Sequence, residues 1–150
     1  MRLSKNFTLG ELTRSQRALR LGMDNTPPDF AIENLQRLVT HVLQPVRDHF
    51  GAVAVSSGYR SAGVNAAEGG ALNSQHLLGE AVDFEVPGVP NMDVCEWIRD
   101  NLQFDQLIAE YLKKDDPAAG WIHVSYSQNL RKQVLSCIAR RKYVPGLVYA

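Results

Sequence analysis

The segment from Glu80 to Val86 constrains this chain more than any other. Val82, Phe84 and Val86 alternate with Ala81, Asp83 and Glu85, the period of a half-buried strand whose apolar side meets a core. Asp83 therefore sits mid-strand and faces away from that core. Aspartate disfavours strands, and an unpaired carboxylate is costly to shield from water, so Asp83 needs a partner. Any fold of this chain must bring a donor or a cation to the middle of that strand.

Two histidines stand in suggestive segments. His76 lies in Ser74-Gln75-His76-Leu77-Leu78-Gly79-Glu80-Ala81-Val82-Asp83, and His123 lies in Trp121-Ile122-His123-Val124-Ser125. Upstream of both is Ser57-Gly58-Tyr59-Arg60-Ser61. Ile122, Val124 and Tyr126 alternate with Trp121, His123 and Ser125, which puts His123 on one strand face with a tryptophan and a hydroxyl. Two imidazoles and a carboxylate leave a fourth tetrahedral position for water, the arrangement catalytic zinc requires. Iron in a facial triad uses the same ligand types, so the residues alone leave the metal open. A closed structural zinc site fits poorly, because Cys95 and Cys137 have no Cys-x-x-Cys spacing. Both fall in apolar patterns read as helical, as buried thiols of a reducing compartment do.

Around this centre the spacing predicts an α+β fold. Thr8 to about Leu21 reads as a helix, with Thr8 and Glu11 forming a capping box and Gly22 ending it. After Pro27-Pro28, Ile32, Leu35, Val39, Val42, Leu43, Val46 and Phe50 recur at helical steps, with a kink expected near Pro45. Val53 to Ser57 reads as a strand and Asn91 to about Leu102 as a third helix. Phe104 to Glu110 and Trp121 to Tyr126 read as two antiparallel strands joined by an exposed loop from Leu112 to Gly120. The expected architecture is a mostly antiparallel four-stranded sheet with helices on one face. The Arg140-Arg141-Lys142 run reads as a solvated helix end.

At 150 residues, with 45% hydrophobic residues, residues 1–150 suit one domain with its own core. Sixteen Lys and Arg balance sixteen Asp and Glu, leaving no surplus charge for a nucleic-acid backbone. No apolar signal core follows the first residues and no run is long enough to span a membrane, so synthesis in the cytoplasm without a signal peptide is expected.

Taken together, Ser-x-His-x-x-Gly-x-Ala-x-Asp, the later Trp-x-His-Val-Ser and the earlier Ser-Gly-Tyr-Arg-Ser resemble the D-alanyl-D-alanine metallocarboxypeptidase family of zinc peptidases. The compact branch found in bacteriophages is the most similar, and the resemblance runs from about Phe7 to Leu147. It implies a hedgehog/DD-peptidase-like fold, zinc on His76, Asp83 and His123, and stem peptides of bacterial peptidoglycan as substrate. By the same likeness Arg60 contacts a substrate carbonyl or carboxylate, where a planar guanidinium offers paired donors. Ser74, beside the metal, and Trp121 are further expected substrate contacts, although Ser74 also suits a local turn hydrogen bond.

The chain departs from the family at one position. Many relatives carry the general base as Glu-x-x-His, and here that place is Gly120. Glu110, at the end of the preceding strand, is the expected replacement, because antiparallel pairing would bring it beside His123. Asp105, Asp115 and Asp116 are the fallback candidates. The signalling domain of hedgehog proteins is similar here, with its glutamate at the matching place and no established peptidase activity. The expectation is thus a monomeric phage or prophage lytic peptidase, endopeptidase or carboxypeptidase, reaching the wall by a separate holin-like route. A non-catalytic zinc module for wall binding or virion structure is the alternative, and a cytoplasmic D-alanyl-D-alanine dipeptidase a third reading.

Overall fold

In the computed structural model, which describes residues 1–150, the alternating segment forms strand β2 (Ala81–Glu85). Its companions are β1 (Ala54–Ser57), β3 (Gln106–Glu110), β4 (Trp121–Ser125), β5 (Gln133–Ala139) and β6 (Lys142–Pro145). They form one sheet in the order β1-β2-β4-β3-β5-β6. All neighbours are antiparallel except β3 and β5, which run parallel.

The sheet has six strands, not the expected four. β5 and β6 fall where the apolar spacing around Cys137 reads as helical, and so short a run fits either period. Pairing decides the matter. β5 satisfies the outer backbone edge of β3, which a helix could not do. Cys137 is therefore a strand residue. The basic run is no helix end either: Arg140 and Arg141 make the exposed turn of the β5–β6 hairpin, with Arg141 in the left-handed region at φ 57°.

The first predicted helix is two. α1 (Leu9–Thr13) opens with the expected capping box, in which the Glu11 amide donates to Thr8 Oγ1 and the Thr8 amide to Glu11 Oε1, both at 3.3 Å. The chain then breaks, because Ser15 caps a new helix, α2 (Gln16–Leu21), by accepting from the Ala18 amide. Gly22, at φ 64°, ends it. The long rod runs as α3 (Asp29–Leu38), a π-helical turn (Val39–Leu43) and α4 (Gln44–Phe50). Pro45 cannot donate to the carbonyl four residues back, and the widened turn just before it, closed by the Gln44 amide on the Val39 carbonyl, absorbs that loss.

Two further helices are α5 (Ala62–Ala67), beside α2 and the turn that carries His76, and α6 (Asn91–Asn101), which packs on the sheet. Leu35, Leu38, Val42 and Val46 from the rod, with Val94, Cys95 and Ile98 from α6, meet Val82, Phe84, Leu107, Ile122 and Val124 of the sheet in one buried cluster. Because strand residues alternate, Asp83, Ile108, Glu110 and His123 are left on the opposite face. Both cysteines are buried free thiols. No helix is long and apolar enough to cross a membrane.

Candidate metal centre

Strand register does most of the positioning. Asp83 of β2 pairs with His123 of β4, Ile108 of β3 pairs with His123, and Glu110 pairs with Trp121. Residues paired across strands share a face, so Asp83, His123, Trp121 and Glu110 lie together away from the core. His76 reaches them from a 3-10 helical turn (Gln75–Leu78) that runs into β2. Ser74 caps that turn by accepting from the His76 amide at 3.2 Å. Gly79 closes it at φ +73°, where an added Cβ would stand 2.5 Å from the Ala31 carbonyl oxygen of α3. The glycine of the signature is thus required twice, by backbone sign and by space.

The three side chains converge. His76 Nε2 lies 3.3 Å from Asp83 Oδ2, and His123 Nδ1 lies 2.9 Å from Asp83 Oδ1. One ligand atom from each falls within 4.8 Å of the others. His76 Nδ1 is 2.7 Å from the Gly58 carbonyl oxygen. A carbonyl only accepts, so an imidazole hydrogen sits on Nδ1, and Nε2 is the nitrogen turned toward Asp83. Two imidazoles and a carboxylate gathered in this way are a donor set that could hold a divalent metal.

The carboxylate is prepared for it. Burial would raise the Asp83 carboxyl, but the contacts and charges of His123 and His76 outweigh burial and hold it below the usual carboxylate range. It is ionised at neutral pH, as a ligand must be. Gly58 is itself anchored, since a Cβ there would meet the Leu12 carbonyl oxygen of α1 at 2.2 Å. That same oxygen accepts from the Tyr59 amide at 2.8 Å. The first helix therefore sets the carbonyl that sets the tautomer of His76.

Arg60 is held at every nitrogen of its fork. Nη2 lies 3.2 Å from Asp83 Oδ2, Nε donates to Ser57 Oγ at 2.9 Å, and Nη1 donates to Asn65 Oδ1 at 3.4 Å. Ser57 opens the Ser-Gly-Tyr-Arg-Ser motif but was given no role in it, and Asn65 was not singled out by sequence reasoning. The available signal was the Gly69-Gly70 pair: a Cβ at Gly70 would stand 2.1 Å from Asn65 Oδ1.

Glu110 is 9% exposed, two pairing steps beyond the rung that carries His123 and so on the same face of the sheet. Burial pushes its carboxyl up, His123 pulls it down and Asp83 pushes it up again, with a net rise. Beside it, Gly120 adopts φ +76° and a Cβ there would meet the Glu110 carbonyl oxygen at 2.0 Å. Tyr111 is bent into the left-handed region at φ 59° and its ring leans on half-buried Trp121, centroids 5.7 Å apart. The fallback carboxylates are elsewhere. Asp105 is buried and bound to Arg131 Nε at 2.7 Å and Gln75 Nε2 at 2.9 Å, while Asp115 and Asp116 are exposed on the β3–β4 loop.

Comparison with curated proteins gives no match. The family model described as Peptidase M15 matches residues 5–125, a span that holds Arg60, His76, Asp83, Glu110 and His123. Peptidases of that family are zinc-dependent, and the donor set found here could hold such an ion. With four-fifths of its length matched and a metal-ready trio inside the matched span, the chain belongs to the peptidase M15 family of metallopeptidases.

Proposed function

We propose that this protein hydrolyses peptide bonds in the stem peptides of bacterial peptidoglycan, as an endopeptidase or DD-carboxypeptidase in a phage or prophage lytic role. His76, Asp83 and His123 hold the zinc. One observation carries the hydrolytic reading: a buried carboxylate, Glu110, stands on the face of the metal trio, two pairing steps from His123. The substrate class is supported by the likeness of the Ser74 to Asp83 signature to D-alanyl-D-alanine metallocarboxypeptidases.

Bound zinc supplies a Lewis acid and brings the pKa of its water from 15.7 towards about 7. Glu110 takes the proton of the attacking water and returns it to the leaving amine. Its raised carboxyl is nearer to the working pH than an exposed glutamate would be, which favours both transfers. Arg60, fixed by Ser57, Asn65 and Asp83, offers its guanidinium N–H groups to the carbonyl oxygen as negative charge develops there. Trp121, with the Tyr111 ring against it, lies beside Glu110 on the same sheet face, where it offers an aromatic surface to the substrate.

The test is digestion of purified peptidoglycan with the zinc-loaded protein, with fragments identified by mass spectrometry. New amino termini within the stem peptide are expected, and their identity names the bond. Digests indistinguishable from a metal-free control would overturn the proposal.

A further inference from the structure

Beside Arg60, the neighbourhood of α2 and β1 encloses a cavity of about 220 Å³. Arg14, Arg17, Arg20 and Arg60 line it against one carboxylate, Glu68. The chain as a whole carries no net charge, so this is a local concentration of positive charge and not a reflection of composition. Guanidinium groups gathered on one cavity repel one another and raise the local potential for anions.

Little inside the protein answers that charge. Arg60 is committed to Ser57, Asn65 and Asp83. Arg17 Nε lies 3.3 Å from Glu68 Oε1, yet it makes no hydrogen bond and is shielded from solvent. Arg14 and Arg20 are exposed and join none of the ion pairs of the molecule. The remaining wall includes Ser15, Gln16, Ser56 and Ser57, all able to hydrogen-bond an oxygen ligand. Arg60 belongs to both places, since it lines the cavity and touches a metal ligand. An anionic group held in the cavity would therefore belong to a residue close to the bond being cut.

We infer that this cavity is a subsite for a carboxylate-bearing residue of the substrate, so that acidic peptides are the preferred class. Arginine forks match the planar geometry of a carboxylate and form its stronger, charge-assisted hydrogen bonds. The inference rests on the proposed peptidase function, and its test is built to fail separately.

Two synthetic stem peptides would be compared, identical except that the acidic residue bears a free carboxylate in one and a carboxamide in the other. With zinc-loaded protein, kcat/KM should favour the carboxylate peptide by about tenfold, the scale of one charge-assisted contact. Added salt should shrink the preference, because exposed charges are screened. In the Arg14→Gln/Arg20→Gln double variant the ratio should fall towards one, with a thermal melt to verify folding. Equal rates on the two peptides, or a preference that survives in the double variant, would overturn the subsite. If neither peptide is cut, the hydrolytic reading fails on its own account. The subsite is then decided by titrating the protein with both uncut peptides and following arginine Nε–H signals by NMR. Shifts caused by the carboxylate peptide alone uphold it; equal or absent shifts overturn it.

Discussion

At Gly120 the backbone admits no side chain. Its φ is +76° and a Cβ would collide with the Glu110 carbonyl at 2.0 Å. A glutamate three residues before His123 has no place in this backbone, and the proposed function gives the base's part to Glu110 on the neighbouring strand. Gly120→Glu should lower stability by at least about 1–3 kcal/mol, the scale of a side chain forced into a left-handed position, read as a drop in melting temperature. Combined with Glu110→Gln it should not restore turnover. Glu110→Gln alone should keep full zinc occupancy by metal analysis and lose about a hundredfold or more in kcat, the usual share of a general base. Unimpaired muropeptide cleavage by that variant would remove Glu110 from the mechanism. His123→Ala, in contrast, should lose metal and activity together.

Among the elements, the 3-10 turn carrying His76 is tied to the start of β3 through Asp105, which accepts from Gln75 on one side and from Arg131 on the other. The Arg131 contact, against the opposing effect of burial, holds the Asp105 carboxyl at about 2. Its folded value lies below its ordinary one, so the stability it contributes is present above about pH 4 and is lost as pH falls towards about 2. The contribution at neutral pH is roughly 2 kcal/mol. Asp105→Asn should melt lower at pH 7 and show a flatter decline in acid than the parent, measured by circular dichroism across that window.

The elements also divide by how well the sequence announced them. β2 and β4 were legible because alternation over five residues placed Asp83 and His123 on one side, and the signature glycine marked the turn between His76 and β2. β5 and β6 were not, since a short apolar stretch without turn punctuation suits two periods and only pairing with β3 chooses between them. The break at Ser15 hid inside a pattern that looked continuous. The contacts of Arg60 with Ser57, Asn65 and Asp83 depend on how β1, α5 and β2 meet, which no local pattern encodes.

For the molecule as a whole, the metal trio gathers three ligand groups from separate segments that a bound ion would tie together. Removing zinc with a chelator should therefore lower the melting temperature, and free zinc at a thousand times its dissociation constant should stabilise the fold by about 4 kcal/mol. An unchanged melt would mean that the trio does not bind zinc. The strand order gives this coupling a direction in time. Asp83 and His123 are 40 residues apart in the chain and become neighbours only when β4 docks between β2 and β3. Such a distant pairing costs loop entropy and assembles slowly, so no early species offers the ion a complete grip. Zinc should then leave the refolding rate nearly unchanged and slow unfolding, acting as a latch that drops after the door has closed.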